Sequence, residues 1–178
     1  MLITVSTFDA LVSAVQSEAQ RAREIHTYSN GPMLIAFDGW ACAGKTYNAC
    51  RISQVLDCAH VDLDRHINMQ MGTILEHVRY AELYDALRST SNTVSFSGAC
   101  MQAALERLNF DGPIVKVYVK RKSGDMWADS DKIYPEGDMT IEQFWHSASD
   151  NPREREMASY HQDYRPDETS DICYLRRS

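Results

Sequence analysis

One stretch decides the fold: Met33-Leu34-Ile35-Ala36-Phe37-Asp38-Gly39-Trp40-Ala41-Cys42-Ala43-Gly44-Lys45-Thr46. Its first part is an apolar run that predicts a buried strand. The pattern Gly-x-x-x-x-Gly-Lys-Thr follows, and helix-like periodicity then begins. In such an arrangement the backbone N–H groups of the glycine segment surround an anion, and the following helix presents its positive end to the same anion. We therefore expect phosphate to bind here.

Each residue of this loop has a predicted role at a nucleotide. The backbone around the phosphates comes from consecutive residues: Gly39, Trp40, Ala41, Cys42, Ala43, Gly44, Lys45 and Thr46. Lys45 reaches the terminal phosphates as a catalytic cation, and the Thr46 hydroxyl ligates the accompanying Mg²⁺. The alternative is a glycine-rich turn with an exposed lysine.

Size and charge restrict the class of protein. The 178 residues suit one domain over 1–178, and the net charge of −7 argues against a general nucleic-acid binder, which needs a basic face. No apolar run approaches the roughly 18 residues of a membrane span. The first residues, Met1-Leu2-Ile3-Thr4, lack the pattern of an export signal. These features predict a cytoplasmic protein that binds neither nucleic acid nor membrane.

The cysteines and histidines carry no recognisable site. The five cysteines form no Cys-x-x-Cys pair, which predicts free thiols in a reducing compartment. No metal-ligand spacing links the histidines, so packing or surface positions are predicted for His60, His66, His77 and His161.

Strand and helix patterns alternate along the chain. Helices are predicted over 7–25, 44–56, 73–89, 99–109, 140–149 and from Pro152 to Pro166. Strands are predicted over 33–38, 58–61, 93–97, 114–119 and 171–175, and a long polar loop over 120–138. The alternation predicts an α/β fold of three layers, α/β/α, with a mostly parallel five-stranded sheet. An N-terminal helix region (1–30) precedes it, and residues 120–165 are predicted to form a lid region.

Acidic residues follow the second predicted strand. Because residues two apart in an extended segment point to the same side, Asp62 and Asp64 can face one cleft at the carboxyl ends of the strands. One can hold Mg²⁺ through water while the other accepts the proton of a substrate hydroxyl. Asp62 is the stronger candidate for the base and metal ligand, with Asp64 and Gly98 expected to contact substrate. Asp38 is an alternative second acid or a turn residue.

Basic residues late in the chain are candidates for phosphate contacts. Arg153 and Arg155 fall in the first turn of the last long helix, where arginines can close over a transferring phosphoryl group. The alternative is a solvated helix face beside Glu154 and Glu156. Lys120-Arg121-Lys122, after the fourth strand, is a further candidate phosphate-binding group.

Several stretches together resemble the uridine kinase-like group of P-loop kinases. They are Ile35-Ala36-Phe37-Asp38-Gly39 with Gly44-Lys45-Thr46, Val61-Asp62-Leu63-Asp64, Tyr118-Val119-Lys120-Arg121, and Tyr160-His161-Gln162-Asp163-Tyr164-Arg165-Pro166 followed by Ser170-Asp171-Ile172. The resemblance implies the P-loop NTPase fold and transfer of phosphate from ATP, with Mg²⁺, to a hydroxyl of a small molecule. It also implies that the acceptor-activating carboxylate is Asp62 and that the late arginines stabilise phosphate.

Two positions depart from the family pattern. The acids form Asp62-Leu63-Asp64, an arrangement closer to shikimate and gluconate kinase-like enzymes, and Ser97-Gly98 stands where the family tends to have Glu before the glycine. The alternative function is therefore a nucleotide-binding regulatory module without phosphotransferase activity. A GTPase or mechanical ATPase is a third candidate, although no Asn-Lys-x-Asp guanine motif is present.

Overall fold

A computed structural model of the chain describes residues 2–27, 31–68, 72–89, 92–134, 139, 143–144 and 151–177. In this part of the chain one sheet contains seven strands, which are β1 (Ile3–Val5), β2 (Met33–Asp38), β3 (Ala59–Asp62), β4 (Thr93–Ser97), β5 (Ile114–Ser123), β6 (Met126–Trp127) and β7 (Ile172–Arg177). Their order is β1-β7-β5-β2-β4-β3, and every pair in that order is parallel. Only β6 is antiparallel, and it pairs with β5.

Helices connect these strands. They are α1 (Phe8–Ile25), α2 (Lys45–Leu56), α3 (Tyr80–Arg88), α4 (Met101–Arg107), α5 (Ser130–Ile133), α6 (Pro152–Tyr164) and α7 (Pro166–Thr169), with 3-10 helices at Leu63–His66 and Leu75–His77. The first two lie on one face of the sheet, because Leu11 and Val15 of α1 and Ile52 of α2 pack in one apolar cluster with alternate residues of β2. Leu83 of α3 and Met101 of α4 pack on the other face, in one cluster with Leu34 and Ala36 of β2.

The central strand β2 is buried along its whole length. Met33, Ile35 and Phe37 point to one face and Leu34 and Ala36 to the other, as the strand repeat of two requires. Burial on both faces is what a parallel strand in the middle of an α/β sheet experiences. This burial places the end of β2, and the loop that follows it, in the middle of the carboxyl edge of the sheet.

The predicted α/β class with a mostly parallel sheet is confirmed, but the number of five strands is wrong. The sequence pattern missed β1 and β6, which have only 3 and 2 residues and are too short to show alternation. The assignment to the P-loop NTPase fold stays a prediction, as does a single domain over the whole chain. Among the described residues, no helix combines the length and apolar character needed to cross a membrane.

The predicted helix over 73–89 is wrong in its first part. The chain forms a short 3-10 helix, then an extended residue, Val78, that bridges Ile67, and only then α3. Glu156 of α6 causes part of this difference, because its carboxylate accepts the backbone N–H groups of Ile74 and, at 3.1 Å, of Leu75. A contact with a helix about 80 residues later therefore fixes this segment.

The predicted loop over 120–138 is also partly wrong. β5 continues to Ser123, because its extension pairs with β7 as far as Lys122 beside Arg177. A turn, β6 and α5 follow, while residues 135–138 lie outside the described residues, as does the predicted helix over 140–149 except at 143 and 144. The helix predicted to begin at Pro152 ends at Tyr164, before Pro166, as expected. A separate short helix, α7, begins at Pro166 after Arg165 adopts a φ of 45°.

Candidate functional site

The Gly39–Thr46 loop joins β2 to α2 at the carboxyl edge of the sheet. Its two glycines have φ values of 146° at Gly39 and 95° at Gly44, and residues with a side chain rarely adopt such values. A Cβ at Gly39 would lie 2.6 Å from the carbonyl oxygen of Val119. Within the described ranges, no side chain caps the N-terminus of α2, so the N–H groups of its first turn have no intrahelical or capping acceptor. The N–H groups at this end of α2 are therefore available to an anion.

Two side chains from the loop turn inward. The Nζ of Lys45 donates to the carbonyl oxygen of Trp40 at 2.8 Å. Burial lowers the pKa of Lys45, while the negative charges of Asp38 and Asp64 oppose that change. Trp40 is buried beneath the loop, with its ring centroid 5.5 Å from that of His161. The Lys45 ammonium thus occupies the loop interior on a backbone oxygen that a phosphate oxygen can replace.

The predicted metal ligand Thr46 contacts Ser97, the last residue of β4, and Ser97 in turn contacts His60 of β3. The Oγ of Ser97 donates to the Oγ1 of Thr46 at 3.4 Å, and the Nε2 of His60 lies 3.0 Å from the same Ser97 oxygen. Burial lowers the pKa of His60, which the negative charge of Asp62 opposes. His60 is half-buried, as a packing histidine would be, and its ring bonds Ser97, which contacts Thr46 of the loop.

The two predicted acids occupy different surroundings. Asp62 caps a 3-10 helix, with its Oδ1 accepting the backbone N–H of Asp64 at 3.2 Å. Asp64 lines the cleft in front of the loop together with Lys45 and Thr46. Loss of hydration and then the negative charge of Asp62 raise the pKa of Asp64, and the cations Lys45 and Arg153 oppose that shift. The geometry thus brings Asp64, rather than Asp62, to the cleft.

The cleft has a volume of about 480 Å³. The glycine loop forms one side, with Gly44, Lys45 and Thr46. Ile67, Ile74 and Met157 make an apolar wall, and all three are buried. A space of this size accommodates a phosphate chain with a small acceptor beside it.

The two predicted arginines differ in position. Asn151 caps α6 by accepting the backbone N–H of Arg153 at 3.1 Å. The side chain of Arg153 lines the cleft, where its Nε donates to the Gly72 carbonyl at 3.2 Å. Arg155 is exposed on the surface of α6. Arg153 alone of the pair is therefore in position to meet a ligand in the cleft.

The second half of α6 is bound to the end of β2. The Tyr160 hydroxyl donates to the Asp38 carboxylate and accepts the backbone N–H of Gln102 at 3.2 Å. Burial raises the pKa of Asp38, while His161, Tyr160, the Gly39 N–H and Lys45 oppose that shift. Asp38 also accepts the Gly39 N–H at 2.7 Å, so it combines a turn role with a link to α6.

His161 links α6 to the neighbouring strand β5. Its Nδ1 lies 2.7 Å from the Met157 carbonyl, which can only accept, so Nδ1 carries the proton. Its Nε2 then accepts from the Tyr118 hydroxyl at 3.0 Å, and burial lowers the pKa of this histidine. Sequence reasoning missed the roles of Tyr118, Tyr160 and His161. The helical spacing of Met157, Tyr160 and His161 indicates only that they share one face of a helix.

The structure gives Gly98 a packing role. A Cβ there would lie 2.5 Å from the Cβ of Leu63, so the absence of a side chain lets Leu63 pack against the end of β4. The Gly98 N–H donates to the Phe37 carbonyl at 3.3 Å. Substrate contact by Gly98 stays a prediction.

The alternative phosphate-binding group at 120–122 is largely neutralised. Lys120 lies 3.8 Å from the Asp167 carboxylate and also over the Trp127 ring. Arg121 pairs at 2.6 Å with Asp129, whose side chain is fully buried. These charges hold the extension of β5 against its neighbours.

Metal binding by the protein alone has limited support. In the described part of the chain, no group of three or more His, Cys, Asp or Glu side chains could hold a metal ion. The oxygens that line the cleft beside the loop are those of Thr46 and Asp64, which suit Mg²⁺ when nucleotide phosphates supply further ligands. Asp62, the other predicted ligand, caps the 3-10 helix.

Comparison with known proteins leaves the family open. No model of a protein family matches this chain. No curated protein matches it either. The resemblance to uridine kinase-like enzymes therefore stays a prediction.

Proposed function

We propose that this protein is an ATP-dependent, Mg²⁺-requiring kinase that transfers phosphate to a hydroxyl of a small molecule, with a P-loop fold similar to that of uridine kinase-like enzymes. One observation carries the proposal: Lys45 of the glycine loop and the carboxylate of Asp64 line the same cleft and interact electrostatically. A cation for the transferred phosphate and an acid for the acceptor are the two groups that phosphoryl transfer requires.

The proposed roles follow from these positions. The loop N–H groups and Lys45 hold the phosphate chain, and the Arg153 guanidinium approaches the transferring group from the opposite side. Asp64 receives the proton of the acceptor hydroxyl, because it lines the cleft and its raised pKa brings it nearer to the range of an effective base. The prediction that Asp62 is the base is retained as the competing assignment.

Mg²⁺ fits the residues at the loop. When bound, it would supply positive charge that neutralises the phosphate oxygens. Thr46 would contribute its hydroxyl, and Asp62 a carboxylate through water.

The five cysteines are all free, which supports the predicted cytoplasmic location because reducing compartments keep thiols reduced.

The test is a screen for acceptor-dependent conversion of ATP to ADP. Nucleosides, sugars, sugar acids and vitamin precursors are offered in turn to the wild type and to the Lys45→Ala variant. Lys132→Ala is the matched control, because Lys132 is exposed on α5 and away from the cleft. We expect turnover with at least one hydroxyl compound in the wild type and the control, and none with Lys45→Ala.

The outcomes separate the candidate functions. Absence of ATP binding by the wild type would overturn the proposal that the protein is a kinase. Tight ATP binding without turnover of any acceptor would favour the regulatory module, which the serine at position 97 supports.

A further inference from the structure

Three polar side chains form a hydrogen-bonded chain that ends at the glycine loop. His60 on β3 and Ser97 at the end of β4 are joined at 3.0 Å, and Ser97 contacts Thr46 on α2 at 3.4 Å. The Ser97 side chain is fully buried, and β3 pairs with β4 in parallel at this point. Two adjacent strands therefore converge on one hydroxyl of the loop.

The donors and acceptors in this chain are consistent. A serine hydroxyl has one proton, and here Ser97 uses it to donate a hydrogen bond to the Thr46 oxygen. The Ser97 oxygen then accepts from Nε2–H of His60. This arrangement leaves one lone pair of the Thr46 oxygen available and limits the rotation of its side chain.

The neighbouring Ser95 shows what an ordinary buried serine does between the same two elements. It lies two residues earlier on β4, so it shares a face with Ser97, and its hydroxyl donates to the Ala49 carbonyl of α2 at 2.8 Å. That bond joins β4 to α2 through a backbone acceptor and does not orient any side chain of α2. Ser97 instead contacts the side chain of Thr46, which the loop directs toward the cleft.

We propose that Ser97 and His60 are positioning residues that orient the Thr46 hydroxyl toward the Mg²⁺ of a bound nucleotide. The inference rests on the proposed function, since it requires that nucleotide and Mg²⁺ bind at this loop. Neither residue touches the ion. His60 holds Ser97, and Ser97 holds Thr46.

The experiment measures the gain in ATP affinity that Mg²⁺ provides. Dissociation constants are determined by calorimetry with excess Mg²⁺ and with a chelator, for the wild type, Ser97→Ala and His60→Leu. We expect the gain to fall by about 10- to 100-fold in both variants, the usual effect of losing a group that orients a metal ligand. Affinity for metal-free ATP stays within about twofold, because the backbone of the loop is unchanged.

Matched variants separate positioning from folding. Ser95→Ala removes a hydroxyl bond between the same strand and helix, and we expect the gain from Mg²⁺ to remain as in the wild type. His60→Gln places an amide near the position of Nε2 and restores the gain, whereas the shorter His60→Asn does not. This pair of polar variants keeps the comparison informative if His60→Leu does not fold.

Several results would overturn the inference. They are an unchanged gain in Ser97→Ala, an equal loss in Ser95→Ala, or equal behaviour of His60→Gln and His60→Asn. If the wild type and the variants all gain ATP affinity from Mg²⁺ to the same extent, the inference is contradicted, but the proposed kinase function is not. A wild type that binds no ATP overturns both.

Discussion

The hydroxyl of Tyr160 donates a hydrogen bond to the carboxylate of Asp38, and so joins α6 to the last residue of β2. Asp38 is almost completely buried, with 3% of its surface exposed, and the next residue is Gly39 of the glycine loop. The helix that carries Arg153 is thus attached directly to the base of the loop that carries Lys45. Both sides of the cleft depend on one buried carboxylate.

The first prediction concerns the pH dependence of stability. Because burial raises the pKa of Asp38 above its ordinary value of 3.8, the folded protein binds this proton more tightly than the unfolded chain. A rise in pH from 3.8 to the raised pKa of Asp38 in the folded protein therefore lowers the free energy of unfolding, by up to about 1.4 kcal/mol per pH unit. Asp38→Asn has no carboxyl group at this position, so its free energy of unfolding lacks this dependence on pH. Urea unfolding of both proteins between about pH 4 and about pH 7 measures the difference, and parallel curves would contradict the prediction.

The second prediction concerns nucleotide affinity. Lys45→Ala removes the cation inside the loop, and hydrogen bonds to charged groups contribute about 1.5–3 kcal/mol. We expect ATP affinity to fall by about 10- to 100-fold, measured by calorimetry, while exposed Lys132→Ala binds as the wild type does. Equal binding by the two alanine variants would show that Lys45 does not contribute to ATP binding.

The third prediction distinguishes the two acids. Asp64→Asn removes the cleft carboxylate, and we expect kcat to fall by about 10²–10⁴-fold, the usual contribution of a general base. Asp62→Asn keeps an oxygen that can accept the Asp64 N–H, so its kcat falls less. Steady-state kinetics with the acceptor found in the screen measure both values. A larger loss in Asp62→Asn would restore Asp62 as the base.

The fourth prediction compares the two arginines of α6. Arg153→Ala removes a guanidinium that lines the cleft, and we expect kcat/KM to fall by about 10- to 100-fold. Arg155 is exposed, so Arg155→Ala has a smaller effect. Arg153→Lys retains charge without the planar fork and falls between wild type and Arg153→Ala. Equal losses at 153 and 155 would mean that α6 meets the substrate through a different face.

The fifth prediction concerns packing at Gly98. A Cβ there would meet Leu63 at 2.5 Å, so Gly98→Ala should lower the free energy of unfolding by about 1–3 kcal/mol, as overpacked cores do. At Gly72 a Cβ would meet no described heavy atom within 4 Å, which makes Gly72→Ala the control. Chemical denaturation measures both. If Gly98→Ala were as stable as Gly72→Ala, Leu63 would have room to move.

Local patterns were sufficient for the main elements of the fold. The apolar run of β2 and the helical spacing in α1 and α2 are properties of adjacent residues, so they appear in the sequence. The extension of β5 through Lys120-Arg121-Lys122 does not, because polar residues form a strand there only through pairing with β7. The first part of the 73–89 segment likewise depends on Glu156, which is distant in the sequence.

The candidate site was predictable only in part for the same reason. The Gly-x-x-x-x-Gly-Lys-Thr pattern locates the loop, but strand alternation treats Asp62 and Asp64 alike. The 3-10 helix after β3 breaks that alternation, and with it the equivalence of the two acids. The bonds of Tyr160 with Asp38 and of His60 with Ser97 join distant positions, and no spacing in the chain indicates them.

The contact of Glu156 with the N–H groups of Ile74 and Leu75 has a practical consequence for redesign. The segment that bears Ile74 is held through its backbone N–H groups, which every residue except proline retains. A library of all residues except proline at position 74 can therefore reshape the apolar wall of the cleft while the peptide stays in place. Under the proposed function, selectivity for the acceptor and binding of the nucleotide become separate targets for laboratory evolution.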